Sequence, residues 1–302
     1  MIVASVVART APDGVARPTG NVSARSSGKT SWRRYDLHRQ TPAPQFLETG
    51  GKRLAYHSTP GASPGVVFFG GFMSDMTGTK ALALEALCRR RGRAFLRFDY
   101  TGHGQSSGTF TEGTIGGWAA DAIDVLDRLT HGPQVVVGSS MGGWIMLLAA
   151  LARPERIAGL AGVAAAPDFT EDLVWGWMTP EQRNALERDG ICHLPDEAGN
   201  PTYPITRRLI EEGREHLLLD GQIPISCPVA LVHGMADRDV PFETSLKLVK
   251  ALASEDVTLT LVKDGTHTMS DPKHLPHVIA ALDLALEKIG AHDAARSERR
   301  PT

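Results

Sequence analysis

A serine hydroxyl attacks a carbonyl only when a neighbouring base takes its proton, so a serine gains chemical interest when the chain turns sharply enough to present it beside one. Ser140 has that setting. The run Val135-Val136-Val137-Gly138-Ser139-Ser140-Met141-Gly142-Gly143 reads as a buried strand, a glycine-bounded serine and the start of a helix. Its G-x-S-x-G spacing is that of a nucleophile elbow, in which only glycine-sized neighbours let strand and helix pack around the turn. Five residues recur by chance, so partners are needed. The stretch His233-Gly234-Met235-Ala236-Asp237-Arg238-Asp239-Val240-Pro241 ends a predicted strand and offers Asp237 as the acid. Asp239 competes for that role, and capping of a helix near Phe242 is the purely structural reading of Asp237. Asp264-Gly265-Thr266-His267 then places a histidine on the loop after the following strand, with Asp264 read as loop structure. In this order Ser140 attacks, His267 moves the proton and Asp237 fixes the imidazole tautomer.

The tetrahedral oxyanion of such a reaction needs two backbone N–H donors. Met141 follows the nucleophile and supplies one. Phe68-Phe69-Gly70-Gly71-Phe72-Met73 is a strand running into two small residues, which turns the backbone inward and offers the Phe72 N–H as the second. A plain glycine turn with the Phe72 ring in the core is compatible with this, because the role belongs to the backbone.

The elements that must hold these groups are readable from periodicity. Residues 46–49 and 54–57 form a hairpin about Gly50-Gly51, and strands follow at 66–70, 94–98, 135–137, 157–165, 229–233 and 257–262. Helices lie between them: one capped by Thr77 or Thr79 and ending at Arg89 to Arg91, one carrying Ile115, Trp118, Ala122, Val125 and Leu129, the elbow helix up to Pro154, and others around Leu246 and Leu282. Such alternation predicts an α/β fold with a mostly parallel sheet covered on both faces. Residues 168–226 break the rhythm, show no clear strand and read as an inserted helical lid over the carboxyl ends of the strands, where ligands of parallel sheets bind. Trp175, Trp177, Met178 and Leu209 on that lid either line an acyl pocket or pack the lid onto the core. Arg207 and Arg208 read as a solvated helix face, with an anionic substrate group as the functional alternative. The expected organisation is an arm over residues 1–44, a domain over 45–290 and a flexible tail over 291–302.

Composition removes several classes. With 302 residues, 42% hydrophobic content and a formal charge of −2, the chain supports one large domain and offers no basic face for nucleic acid. No uninterrupted apolar run reaches the roughly 18 residues of a membrane helix, so no membrane span is expected. Cys88, Cys192 and Cys227 are odd in number and widely spaced, which suggests a reducing, cytoplasmic setting. The first forty residues are rich in arginine and serine and poor in acids, as transit peptides are, which makes the mitochondrial matrix the alternative. Gly28-Lys29-Thr30 lacks the first glycine of a phosphate-binding loop, and His274 and His277 have no third ligand nearby; neither nucleotide, metal nor other cofactor is expected. A nucleotide-binding oxidoreductase shares the alternating elements, but Gly138 to Gly143 lacks the middle glycine of G-x-G-x-x-G. A non-catalytic ligand receptor is the remaining alternative, since fold alone never excludes it.

The order of these motifs resembles the α/β-hydrolase superfamily over about residues 46–289. Gly70-Gly71-Phe72 stands where its members usually carry His-Gly-X, and Phe98-Asp99-Tyr100-Thr101-Gly102-His103-Gly104-Gln105-Ser106 resembles their F-D-x-x-G-x-G-x-S segment. Met76 to Ala83, Gly138 to Trp144 and His233 to Met235 are similar to the α/β-hydrolase-domain-containing proteins, in particular a mitochondrial member with palmitoyl-protein thioesterase and acyl-glucuronide esterase activity. The resemblance implies a cofactor-free serine hydrolase, the triad Ser140, Asp237 and His267, and a small-molecule ester, acyl thioester or S-acylated protein as substrate.

Overall fold

The computed structural model describes residues 42–195 and 201–298, all within one compact unit. The arm over 1–41, with its transit-peptide and Gly28-Lys29-Thr30 readings, and residues 299–302 of the tail lie outside the described residues.

The chain enters through a hairpin, β1 (Gln45–Thr49) and β2 (Lys52–Thr59), and passes into β3 (Ala62–Phe69). Then helices and strands alternate: α1 (Thr79–Arg90), β4 (Arg93–Phe98), α2 (Ile115–Leu129), β5 (Gln134–Ser139), α3 (Met141–Ala152) and β6 (Ile157–Val163). An insertion follows, containing α4 (Pro180–Asp189), β7 (Ile191–Pro195), β8 (Pro201–Thr206) and α5 (Arg207–Gly213). The chain finishes with β9 (Val229–Gly234), α6 (Glu243–Ala251), β10 (Val257–Val262) and α7 (Leu275–Glu298). Eight strands form one sheet in the order β1-β2-β4-β3-β5-β6-β9-β10; β1, β2 and β4 pair antiparallel and the pairs from β4 to β10 are parallel.

Successive side chains of a strand point to opposite faces, and the apolar runs here feed two cores. Val67, Phe69 and Val136 face α2, α3 and the insertion, where Trp118 and Trp144 are buried. Val66, Phe68, Val135 and Val137 face α1 and α7, through Leu84, Leu87, Val278 and Leu282. Both faces of the central strands are therefore dry, as their near-continuous apolar sequence requires.

Three expectations are corrected. Neither Thr77 nor Thr79 caps α1: Gly78 is the N-cap residue with no side-chain bond, Thr79 is already helical, and Thr77 gives both its N–H and its hydroxyl to Asp75. The insertion is not purely helical, because β7 and β8 pair antiparallel, Ile191 opposite Thr206 and Leu194 opposite Tyr203. Pro195, Pro201 and Pro204 hid this hairpin; in a sheet of two strands every strand is an edge, where a missing N–H is tolerated. Lastly, α7 continues to Glu298, past the expected start of the tail at residue 291, since no glycine or proline interrupts Ala291 to Glu298. Among the described residues no helix is long and apolar enough to cross a membrane.

Candidate active site

The turn from β5 into α3 is as tight as its sequence demands. Ser140 has φ 54° and ψ −122°, a conformation that side chains rarely adopt and that is held by Ser140 N–H donating to Val163 O and by Ser140 O accepting from Gly143 and Ala166. A Cβ on Gly138 would stand 2.5 Å from Gly142 O, and one on Gly142 would stand 2.2 Å from Phe69 O. Backbone atoms cannot step aside cheaply, so Gly142→Ala should lower stability by about 3 kcal/mol, read from the thermal unfolding midpoint. An unchanged midpoint would mean that α3 is free to shift.

Ser140 Oγ lies 3.0 Å from His267 Nε2, and His267 Nδ1 lies 2.8 Å from Asp237 Oδ2. His267 stands on the loop between β10 and α7, Asp237 on the loop after β9, and both loops leave the carboxyl ends of neighbouring strands. Gly234 and Gly265 let these two loops touch: a Cβ on Gly234 would lie 2.2 Å from Gly265 O, and Ala236 N–H donates to that same carbonyl.

The carboxylate of Asp237 is fully enclosed and accepts four hydrogen bonds. Its Oδ2 accepts from His267 and from His233 Nε2 (3.1 Å), and its Oδ1 accepts from the N–H groups of Asp239 and Val240 (2.9 Å each). Burial alone would raise its pKa, but donation from His233, His267 and Val240 outweighs this and holds the group well below the usual carboxylate range. Asp237 caps no helix; Phe242 is the N-cap residue of α6. His233 is a member of this assembly to which the motifs assigned no role. Its Nε2 faces two acceptors, Asp237 Oδ2 and Val240 O, and so carries the proton, while Nδ1 accepts from Ser245 Oγ at 2.7 Å. The signal was a histidine inside an otherwise apolar strand.

Asp239, the competing acid, is exposed, although its carboxylate, Asp237 and His267 bring donor atoms within 4.8 Å of one another. With all four hydrogen bonds committed, Asp237 is a fixed acceptor in this geometry. Asp264 accepts from Lys273 Nζ at 2.6 Å and serves the loop as expected.

Met141 is the first residue of α3 and follows the elbow serine directly, so its N–H is outside the helical ladder. The Gly71-Phe72 turn lies alongside: a Cβ on Gly71 would approach Ser140 Cβ to 3.4 Å. The Phe72 ring packs edge-on against Phe110 and Phe169, with centroids 4.8 and 5.8 Å away. This turn is clamped from β4. Met76 N–H donates to Asp99 Oδ1 (2.7 Å), and Met76 O accepts from the buried Arg97 (3.0 Å), which is itself paired with Glu85. The other oxygen of Asp99 accepts from Gln105 N–H, and Gly104 passes so close that a Cβ there would meet it at 2.1 Å. Ser106 Oγ then ties Asp99 O to Ala55 N–H. The F-D-x-x-G-x-G-x-S segment is thus the bracket behind the Phe72 turn.

Three of the four lid residues, Trp175, Met178 and Leu209, share one apolar cluster, and the fourth lies outside it. Met178 and Leu209 of the insertion are buried in that cluster, and Trp175 carries the guanidinium groups of Arg183 and Arg214 over its ring at 4.8 and 5.0 Å. Trp177 is 57% exposed. Arg207 pairs with Glu211 one turn along α5.

A mostly parallel sheet with a strained serine elbow at its centre, and an imidazole and a carboxylate on later loops, is the architecture of an α/β hydrolase. The family described as "Alpha/beta hydrolase family" matches residues 66–281, and the chain belongs to it. Among relatives, the human mitochondrial palmitoyl-protein thioesterase ABHD10 is 39% identical over 237 residues, 78% of this chain and 77% of its own. The structure of mouse α/β hydrolase domain-containing protein 10 matches with a TM-score of 0.76 at 38% identity, covering 82% of this chain and 99% of its own. A putative hydrolase from Agrobacterium vitis S4 matches with a TM-score of 0.76 at 37% identity, covering 80% and 97%.

Proposed function

We propose that this chain is a serine hydrolase that cleaves acyl thioesters, and carboxylic esters of similar shape, through an acyl-enzyme on Ser140. The observation that carries this is the continuous hydrogen-bonded path from Ser140 Oγ through both nitrogens of His267 to Asp237. His267 Nε2 takes the hydroxyl proton as Oγ attacks the carbonyl carbon, Asp237 stabilises the imidazolium, and the N–H groups of Met141 and Phe72 receive the oxyanion. Collapse expels the thiol or alcohol with the proton from His267. Water, activated by the same imidazole, then releases the acid.

The named activity of the ABHD10 relatives, palmitoyl-protein thioesterase, favours a long acyl chain on a small carrier or a protein thiol. Their mitochondrial designation, with the arginine- and serine-rich arm of this chain, favours the mitochondrial matrix over the cytoplasm. A series of acyl thioesters from acetyl to palmitoyl, with matched aryl esters, tests the reading: kcat/KM should rise with chain length on the thioesters. Uniformly faster cleavage of acetyl esters would overturn the substrate class.

On the lid, Trp177 is exposed and free to meet an acyl chain, whereas Leu209 is packed away. Trp177→Ala should therefore flatten the chain-length preference with little change in unfolding midpoint. Leu209→Ala should cost about 2–5 kcal/mol of stability and leave the preference intact. The opposite pattern in paired melting and substrate profiles would reverse these roles.

A further inference from the structure

The triad leaves one part of the sequence signature without a role, the segment from Met76 to Ala83. It contains Lys80, in the first turn of α1. The Lys80 Nζ donates to the backbone carbonyl of Thr268, 188 positions away and next in the chain to His267. That carbonyl also accepts from Ser270 Oγ at 3.1 Å.

A lysine is an unusual choice for such a bond. The side chain is half-buried, its bond to Thr268 O lies toward the surface, and burial lowers its pKa to about 8. Among the described residues no carboxylate pairs with it. A partly desolvated cation without a counterion adds little stability, so the value of a lysine here lies in what its hydrogen bond holds. Its target supplies one. The loop from 263 to 274 crosses from β10 to α7 and includes Met269 with φ 49°, a conformation that needs external support. At the other end of the short stretch from Phe72 to Lys80 sits the turn proposed to hold the oxyanion, and Met76 between them is clamped by Arg97 and Asp99.

We infer that Lys80 is a positioning residue: through the Thr268 carbonyl it fixes the His267 loop to the same clamped segment that presents the Phe72 N–H. General base and oxyanion donor are then held in register by one brace. This rests on the proposed triad. It also assigns the reaction a residue that never touches substrate.

Lys80→Met removes the donor at nearly constant length, and Lys80→Arg keeps one. Using the full chain with an aryl ester, Lys80→Met should lower kcat by about tenfold to a hundredfold, as sub-ångström to ångström displacement of a base does, with KM nearly unchanged. The rate of fluorophosphonate labelling should fall in parallel. Because the bond is exposed and the charge has no counterion, the unfolding midpoint should stay nearly level, and Lys80→Arg should recover most of kcat. A merely structural lysine predicts a lower midpoint with kcat per folded molecule retained. Wild-type kcat in Lys80→Met, a loss confined to KM, or no recovery with arginine would each overturn the inference. Ser140→Ala in the same series separates the two readings: if it is inactive while Lys80→Met is normal, only the brace fails, and if it stays active the triad itself fails.

Discussion

Replacing Ser140 by alanine should lower turnover by about a millionfold and abolish fluorophosphonate labelling, while Ser139→Ala, one residue earlier, changes turnover far less. The magnitude follows from how triads behave: once the nucleophile is gone the base and acid have nothing to activate, and what survives is binding plus oxyanion stabilisation. The contrast follows from geometry. Ser140 occupies the turn, with its Oγ 3.0 Å from His267 Nε2, whereas Ser139 is the last residue of β5, buried and registered against Val163 of β6. The elbow fold should survive Ser140→Ala, since the bonds that hold it run through the Ser140 backbone to Val163, Gly143 and Ala166. A melting midpoint close to wild type would show that activity was lost through chemistry. Labelling that persists in Ser140→Ala would reject the nucleophile.

The sheet, and the loops that carry the proposed triad, were legible because each rests on a strong local rule. Continuous valine runs have no stable place except a strand dry on both faces, and glycines at 138 and 142 have a reason only where backbone meets backbone. Once strand ends are known, the loops after β9 and β10 follow, and with them Asp237 and His267. Less legible were features whose meaning arises only in three dimensions. The β7–β8 hairpin carries prolines that local propensity reads as strand breakers. His233 and Arg97 lie on strands β9 and β4, where a polar residue signals an unseen partner without naming it; these include Asp237 for His233, and Glu85 and Met76 for Arg97. The apolar lid residues were ambiguous for a related reason. Their spacing is the same whether they face a substrate or the protein, and only burial distinguishes Leu209 from Trp177.

That dependence on partners makes Asp237 the second site of large effect. Asp237→Asn should lower kcat on the order of ten-thousandfold, because an amide cannot accept at both oxygens as the carboxylate does. With the amide nitrogen turned toward the two histidines it meets the Nδ1–H of His267 and the Nε2–H of His233. His267 then relieves the clash by moving its proton to Nε2, the nitrogen that must be free to receive the proton of Ser140. With the amide oxygen turned there instead, the nitrogen faces the N–H groups of Asp239 and Val240 and the loop loses its acceptor. Asp239→Asn leaves all four bonds in place, since Asp239 contributes its backbone, and should change kcat far less; the reverse ranking would transfer the acid role to Asp239. The same substitution of Asp237 should alter acid stability. A carboxylate held below its ordinary pKa in the fold adds stability that is fully present above the unfolded value near pH 4 and is lost as pH falls below it. Wild-type stability should therefore fall more steeply below about pH 4 than that of Asp237→Asn, a difference measurable as the slope of unfolding free energy against pH. Equal slopes would mean that Asp237 titrates alike in the folded and unfolded chain, and that its four hydrogen bonds do not hold it ionised.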